Sequence, residues 1–309
     1  MDQLLAVEKF LDTLRGFYKR RGYTEVVTPH LLPYPNLDEN VFPIPCGVED
    51  ISFRRRTFYL HTSPEYAMKK LLARYRRDIF QICHVFRNRE AGPLNDFEFL
   101  MLEYYKIGVD YNYLMDEIGI LLKELFGERI TYRGREIKNE PLKVSLKEAY
   151  RTHLGLDLEL LLEDVNSFKK QLEERGIHFD PREDAETLFW RTYVELEKHL
   201  GWERPTFVYG FPERFGALAR CQNGWCERFE LYMFGIELAN GYTEIKDPKE
   251  VERRLLKVAK ELNLPLDEGF VEIHKELPPL YAGVSLGLDR LMMIKLGLSS
   301  IRELYFHSF

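Results

Sequence analysis

The sequence predicts an α+β protein with a mainly antiparallel sheet flanked by helices. Aromatic residues make up 14% of its 309 residues, and aromatic side chains pack well on the pleated surface of a sheet. Several segments place apolar residues three and four positions apart, which predicts amphipathic helices. After Pro205 the pattern changes to short β-branched and aromatic runs, which predicts strands. We expect one domain over residues 1–309, with a helical insertion at about 110–200.

The overall composition excludes several classes of protein. With 45% hydrophobic and 30% charged residues, the chain has an ordinary globular composition. Its net charge of −6 argues against broad coating of nucleic acid, which needs excess Lys and Arg. No run of about 18 apolar residues predicts a membrane span, and the charged start MDQLLAVEKF is unlike a signal peptide. A cytoplasmic protein is therefore expected.

The four cysteines are Cys46, Cys83, Cys221 and Cys226. This is too few for a disulfide scaffold in a chain of this length, so reduced thiols are expected. Cys221 and Cys226 could instead supply two ligands of a structural zinc site. No matching second pair exists, so two ordinary thiols are the preferred interpretation.

The N-terminal third begins with a predicted helix over 4–18, which Gly22 ends. A strand is predicted for 23–32 and a loop with an exposed hairpin for 33–56. A short strand at 58–61 precedes a predicted helix over Glu65–Tyr75, with Ser63 as N-cap and Pro64 in the first turn. The basic residues of this helix region form either a solvated face or a docking face for an acidic partner. They are Lys69, Lys70, Arg74, Arg76 and Arg77.

The remaining elements alternate between the two types of structure. Helices are predicted over 110–127, in several pieces over 145–200, over 248–262 and from 290 to 296. Strands are predicted over 79–86, 98–106, 207–209, 227–234, 236–244 and 282–288.

Two stretches place arginines in strand-forming surroundings: FRNREAGPLNDFEFLMLEYY at 86–105 and GVSLGLDR at 283–290. The planar guanidinium of arginine donates two parallel hydrogen bonds, which suits phosphate. Between them, Glu230 and Glu237 flank a tight turn predicted at Gly235, and a hairpin can bring both carboxylates to one face. Carboxylate oxygens are ligands that Mg²⁺ requires.

Together these stretches resemble motifs 2 and 3 of the class II aminoacyl-tRNA synthetases. The helix–strand–proline order at the start resembles their motif 1, which builds a dimer interface. The resemblance implies an adenylate-forming enzyme that uses ATP and Mg²⁺, with Arg87 on the α-phosphate and substrate carboxylate and Arg290 on the γ-phosphate. Its glycines Gly283 and Gly287 are expected to let the backbone approach the nucleotide. The implied ATP-binding residues are Arg87, Glu90, Asn95, Phe99, Glu230, Gly287 and Arg290, and the implied metal ligands are Glu230 and Glu237.

Three further segments, TSPEYAMKKLL at 62–72, MLEYY at 101–105 and ELANGYTEIKD at 237–247, resemble the lysine branch of these synthetases. A diamino acid has two ammonium groups, and burying them requires paired negative charge. A cation over the ring of Tyr242 would be stabilised further. The implied substrate-binding residues are Ser63, Glu65, Glu103, Tyr105, Ala239, Asn240, Tyr242, Glu244 and Ser285.

Within the lysine branch, the chain resembles the elongation factor P lysyltransferase family. Lysyl-tRNA synthetases carry an anticodon-binding domain before motif 1, whereas here the motif 1 helix starts almost at Met1. The segment PTFVYGFPE at 205–213 and the small residues Ala239 and Ser285 are similar to that family. The resemblance implies lysine, preferentially (R)-β-lysine, as substrate and elongation factor P as acceptor. It also implies a homodimer, with no tRNA and no membrane as partner.

Motif 2 departs from the usual pattern at two positions. Arg89 stands where class II enzymes have a glutamate that binds adenine, so Glu90 is expected to take that role. Asn95 stands where a histidine-containing basic stretch helps to hold the triphosphate. Asn95 carries no charge, so either ATP binds more weakly or another basic residue compensates.

Two other functions remain open at this point. One is a lysyl-adenylate enzyme with a different acceptor, which only a transfer assay separates. The other is a non-catalytic synthetase paralogue that binds lysine or a partner. The presence of Arg87, Glu230, Glu237 and Arg290 together argues against the second, because a binding module needs no grip on the γ-phosphate.

Overall fold

The computed structural model describes residues 2–305 of the chain. In this part of the chain, ten α-helices, α1 to α10, are Gln3–Arg20, Glu65–Tyr75, Tyr111–Phe126, Leu146–Ala149, Leu158–Glu163, Val165–Glu174, Ala185–Glu197, Pro248–Leu262, Glu268–Glu272 and Leu288–Leu296. Fourteen strands, β1 to β14, are Thr24–Glu25, Leu31–Leu32, Ile44–Glu49, Arg55–Leu60, Ile79–Phe86, Glu98–Ile107, Arg129–Tyr132, Arg135–Lys138, Leu142–Ser145, Thr206–Pro212, Cys221–Gln222, Trp225–Met233, Ile236–Thr243 and Tyr281–Gly287. A π-helix at Tyr150–Leu154 continues α4.

The central sheet has nine strands in the order β1-β5-β6-β14-β13-β12-β10-β9, with β11 paired to β12. Within the described residues, the pairs β1–β5 and β9–β10 of this sheet are parallel and the others are antiparallel. The predicted α+β fold with a mainly antiparallel sheet is therefore confirmed. The register places Ser285 of β14 opposite both Glu103 of β6 and Asn240 of β13.

Alternation along the central strands separates a packed face from a functional face. On β6, Leu102 and Tyr104 belong to the main hydrophobic core, whereas Glu103 and Tyr105 line a cavity. Successive side chains of a strand point to opposite faces, so a single strand serves both purposes. Residues of α1, α3 and α10 fill the same core, which fixes the sheet from one side.

The segment predicted as a helical insertion contains more than helices. The helices α3 to α7 are present, but β7 and β8 form a separate hairpin, and β9 extends the central sheet alongside β10. Each of these strands has only four residues, in which apolar and polar side chains are mixed. Such a short pattern cannot be distinguished from a loop. A second core joins α4 to α7 with the sheet, through residues such as Phe168, Phe189 and Phe211.

The strand predicted over residues 23–32 is largely wrong. Only β1 and β2, of two residues each, are strands there. β1 pairs with β5 of the central sheet, whereas β2 pairs with β4 of a small sheet of order β2-β4-β3. The chain crosses from one sheet to the other between β1 and β2. One continuous strand therefore cannot form over residues 23–32.

Two helices have the predicted bounds and a third begins earlier. Helices α2 and α8 span Glu65–Tyr75 and Pro248–Leu262 as expected, but α10 begins at Leu288, before the predicted start at Arg290. Arg290 therefore lies in the first turn of a helix. The prediction of Ser63 as N-cap of α2 is wrong by one residue, since Pro64 is the cap. The Ser63 hydroxyl still accepts a hydrogen bond from the backbone N–H of Glu65 at 3.0 Å.

The cysteine prediction is wrong for one pair. Cys221 and Cys226 form a disulfide, because the turn between β11 and β12 places them directly opposite one another. Sequence spacing alone did not reveal this pairing. Cys46 and Cys83 are free. Among the described helices, none is both long and apolar enough to cross a membrane.

Candidate active site

A cavity of about 1070 Å³ opens on the functional face of the central sheet. It is lined by β6, β13 and β14 from below and by α2, α7 and α8 around its margin. The predicted site residues that line it are Ser63, Glu65, Arg87, Glu90, Asn95, Phe99, Glu103, Tyr105, Glu230, Glu237, Ala239, Asn240, Tyr242, Glu244, Ser285, Gly287 and Arg290. The fold thus brings the whole predicted set to one cavity.

Three glutamates, Glu65, Glu103 and Glu244, line one part of this cavity. Together with Lys69, which is buried behind two of them, they are called here the acidic end. The ammonium group of Lys69 lies 2.6 Å from Glu65 Oε1 and 2.6 Å from Glu244 Oε2. Lys69 is fully buried, and the Glu244 side chain is only 1% exposed. A buried charge is tolerated where it is paired and hydrogen-bonded, as here.

The position of Lys69 corrects the interpretation of the basic helix. Lys69 was predicted to lie on a solvated or docking face, but it points from α2 into the acidic end. Lys70, one residue later, pairs with Asp267 at 2.6 Å and is partly exposed. Consecutive helix residues point in different directions, so a run of basic residues in sequence does not form one face.

Burial raises the pKa of two carboxyl groups of the acidic end, those of Glu103 and Glu244. Burial, reinforced by the charge of Glu65, raises the pKa of Glu103 to about 7. Burial raises the pKa of Glu244 to about 8, although the ammonium of Lys69 opposes the shift. Removal of a carboxylate from water disfavours its charged form. A cationic ligand that entered this end would reverse that effect.

Hydroxyl groups hold these carboxylates in position. Ser63 donates to Glu103 Oε2 at 2.6 Å and Tyr105 donates to Glu103 Oε1 at 2.6 Å. Tyr242 donates to Glu65 Oε1 at 3.1 Å. The rings of Tyr105 and Tyr242 each lie 5.9 Å from the Lys69 ammonium. Aromatic faces and carboxylates together form a surface suited to ammonium groups.

Small residues of β13 and β14 form the floor of the cavity. Ala239 and Ser285 line it, and the Ser285 hydroxyl donates to the Asn240 carbonyl at 3.4 Å. A Cβ on Gly283 would lie 2.3 Å from the Tyr105 ring, so this glycine is needed for packing against Tyr105. At Gly287 the nearest atoms to an added Cβ are 4.0 Å away, so this position is open. Its contact with the nucleotide remains a prediction.

A second group of cavity residues, called here the arginine end, consists of Arg87, Glu90, Asn95, Glu237 and Arg290. Arg87 follows β5, and its guanidinium lies 3.7 Å from Glu90 Oε1. Asn95 donates to Glu90 Oε2 at 3.2 Å and accepts from Arg290 Nη2 at 2.9 Å. Asn95 therefore bridges the two motifs, a role that its uncharged amide can fill because it both donates and accepts.

Arg290 is fixed largely through backbone carbonyls. It donates to the carbonyl of Leu94 at 3.0 Å and to that of Glu237 at 2.8 Å, while its nearest carboxylate contact is 3.6 Å away. Arg87 is held similarly, by a 3.4 Å contact to the Thr62 carbonyl and by Phe99, whose ring lies 5.1 Å from the guanidinium. Both guanidinium charges are thus positioned without being fully neutralised, which leaves them available to phosphate.

Glu230 is satisfied by protein groups. Arg228 donates to its Oε1 at 2.6 Å, and the hydroxyls of Tyr193 and Tyr232 donate to its Oε2 at 2.5 and 2.7 Å. Glu230 is only 4% exposed. Glu237 differs, because its side chain is 36% exposed. The two predicted metal ligands therefore have different environments.

Glu230 and Glu237 are seven residues apart, a separation that would place them on opposite faces of a single strand. The hairpin β12–β13 brings them to the same face. Phe234 and Gly235 both have positive φ values, of 56° and 73°, which confirms the predicted tight turn. A bulge at Leu238 of β13 then pairs Tyr232 with Glu237. Since Tyr232 and Glu230 are two residues apart on one strand, this register places Glu237 on the face of Glu230.

Comparison with known proteins then fixes the family. The family model described as tRNA synthetases class II (D, K and N) matches residues 1–308. The chain belongs to this family. A protein of Aquifex aeolicus named elongation factor P–(R)-β-lysine ligase homolog is 48% identical over 308 residues, covering 100% of both chains. Proteins of Haemophilus ducreyi and Salmonella arizonae, each named elongation factor P–(R)-β-lysine ligase, are 35% and 33% identical, covering 97% of this chain and 91% and 93% of theirs.

The resemblance stated from the motifs is thereby confirmed, including its narrower form as a class II ligase of the elongation factor P type. The roles of the individual site residues remain predictions. Sequence reasoning missed three members of this class II site: Lys69, Arg228 and Tyr193. Tyr193 comes from α7, in a region where no chemistry was predicted. No motif marks it.

Proposed function

We propose that this chain uses ATP to activate (R)-β-lysine as an adenylate and transfers it to a lysine side chain of elongation factor P. The observation that carries the proposal is the charge of the acidic end. Glu65, Glu103 and Glu244, when ionised, supply three negative charges and Lys69 supplies one positive charge. The balance of two negative charges matches the two ammonium groups of a diamino acid. A neutral or monoamino substrate would leave buried charge unpaired.

The chemistry follows from the two ends of the cavity. An oxygen of the substrate carboxylate attacks the α-phosphorus of ATP, the bond to the β-phosphate oxygen breaks, and pyrophosphate leaves. Arg87 is placed to stabilise the charge that develops at the α-phosphate, and Arg290 to hold the departing phosphates. The acceptor's ε-amine then attacks the adenylate carbonyl, AMP leaves and an amide forms with loss of a proton.

Magnesium fits the arginine end in part. The exposed carboxylate of Glu237 would hold the ion, which supplies neutralisation of phosphate charge when bound. The oxygens of Glu230 already accept from Arg228, Tyr193 and Tyr232. Glu230 would therefore act chiefly through its charge. The proposal that both are direct ligands remains to be tested by the metal affinity of each variant.

The test is amino-acid-dependent exchange of pyrophosphate into ATP, followed by transfer. We expect exchange with (R)-β-lysine, weaker exchange with α-lysine and none with norleucine, which is similar in length but lacks the second ammonium. Exchange supported equally by norleucine would contradict the proposal. Purified elongation factor P should then gain the mass of one lysyl group without tRNA. Exchange without that transfer would indicate a different acceptor, and absence of both would indicate a non-catalytic paralogue.

We also propose a homodimer. Leu4 and Leu5 of α1 and Val27 of the motif 1 segment are 68%, 57% and 89% exposed. Large apolar side chains exposed in one segment are typical of an interface. Light scattering should give twice the chain mass. A charged residue in place of Val27 should shift the protein toward the monomer, whereas the same change at exposed Ile120 should not.

A further inference from the structure

Three potential metal ligands meet outside the cavity. His30 lies in the loop between β1 and β2, His61 directly follows β4, and Cys83 lies in β5. One ligand atom from each lies within 4.8 Å of the other two. Cysteine sulfur and histidine nitrogen are the ligands that zinc prefers in proteins. None of the three residues lines the active-site cavity.

His61 is arranged as a ligand rather than as an ordinary core histidine. Its Nε2 lies 2.7 Å from the His84 carbonyl, and because a carbonyl only accepts, Nε2 carries the proton. Nδ1 therefore holds the lone pair, yet it has no hydrogen-bond partner among the described residues. His61 is only 1% exposed, so water does not readily satisfy it. A buried acceptor without a partner is costly and calls for an occupant.

His30 provides access to the site. Its ring stacks on that of His61 with centroids 4.9 Å apart, and its carbonyl accepts from the His61 backbone N–H at 2.9 Å. Unlike the other two ligands, His30 is not buried. A metal ion can therefore enter past this side chain, which can also adjust to it.

We propose that His30, His61 and Cys83 bind one zinc ion, with a fourth position open to water. Zinc lies about 2.0–2.1 Å from nitrogen and about 2.3 Å from sulfur, so tetrahedral ligand atoms are roughly 3.3–3.8 Å apart. The ligand atoms must therefore move closer together, and His30, which is not buried, is free to adjust. The ion would connect the loop of His30, the end of β4 at His61 and strand β5 at Cys83. Ser63 follows His61 by two residues, and Arg87 follows Cys83 by four. Its role there is structural.

The test uses the full chain, freed of metal by a chelator and with its disulfide intact. Co²⁺, as a spectroscopic substitute for zinc, should bind once per chain and produce a thiolate-to-cobalt charge-transfer band. Zn²⁺ should displace it and raise the Tm of unfolding. Cys83→Ser should abolish the band and weaken binding by more than the roughly 10–100-fold that loss of an outer partner costs. Cys46→Ser, which removes the other free thiol, should change neither.

His30→Ala is the second variant, because a change at an accessible loop residue leaves folding intact even if Cys83→Ser does not. It should also weaken Co²⁺ binding. Absence of saturable binding, or a band that survives in Cys83→Ser, would overturn the proposal. So would a band that disappears in the Cys221→Ser/Cys226→Ser double variant, because the metal would then be held by that pair after reduction.

Discussion

The acidic end and the arginine end of the cavity hold charge in opposite ways. Lys69 and Glu244 are buried and paired at 2.6 Å, so the acidic end is neutralised in part by the protein itself. Arg87 and Arg290 have side chains that are 24% and 23% exposed and are held mainly by backbone carbonyls. In the proposed function, the acidic end discriminates between ligands by charge count. The arginine end keeps its charge available for groups that change charge during reaction.

The largest effect is expected at the arginine end. Arg87→Ala should lower the rate of pyrophosphate exchange by about 10²–10³-fold, as loss of one preorganised donor to a developing charge typically does. Arg290→Ala should have a similar effect with a larger rise in the KM for ATP. Arg89→Ala is the matched control, because its guanidinium stacks on Phe42 at 4.1 Å. If Arg87→Ala and Arg89→Ala lowered the exchange rate equally, a specific role of Arg87 at the α-phosphate would be contradicted.

The next effect is expected at Lys69. Lys69→Met leaves Glu65 and Glu244 without their shared partner, and an uncompensated buried charge costs about 3–5 kcal/mol. The variant should have a lower Tm and a KM for lysine raised at least tenfold, with the KM for ATP nearly unchanged. Lys70→Met, on the same helix but partly exposed, should match the wild type. A rise in both KM values for Lys69→Met would contradict a role confined to the acidic end.

The two ends should also differ in their pH dependence. The pKa values of Glu103 and Glu244 are raised to about 7 and about 8, and a dicationic substrate binds their ionised forms. The KM for lysine should therefore fall about tenfold or more as the pH rises from about 6 to 8.5, since each unit corresponds to about 1.4 kcal/mol per group. Glu103→Gln should flatten the lower part of this profile. A KM for lysine independent of pH would show that these carboxyls stay ionised.

The smallest effect is expected at Asn95. Its amide joins Glu90 to Arg290, and a hydrogen bond to a charged group contributes about 1.5–3 kcal/mol. Because solvent can partly replace it in this open region, Asn95→Ala should raise the KM for ATP only several-fold. The KM for lysine should not change. Asn95→Lys, which adds a positive charge to the motif 2 loop, should lower the KM for ATP. An unchanged KM would show that the missing charge does not limit ATP binding.

Much of this site could be predicted from sequence because its residues lie in contiguous segments. Arg87, Glu103 and Tyr105 fall within twenty residues, and ELANGYTEIKD supplies Asn240, Tyr242 and Glu244. The bounds of α2 and α8 could also be predicted, because proline near the start and helical periodicity are local signals. Local signals suffice when the residues that act together are close in the chain.

The remaining features depend on contacts between distant segments. Glu244 is 175 residues from Lys69, so the burial of that lysine follows only from the packing of α2 against β5, β6 and β14. Tyr193 reaches Glu230 from α7, and the bulge in β13 sets the face of Glu237. The sequence by itself determined the family and the chemical types at the site. The tertiary structure decided which charges are paired and which remain free, because electrostatic free energies depend on distance and burial rather than on order along the chain.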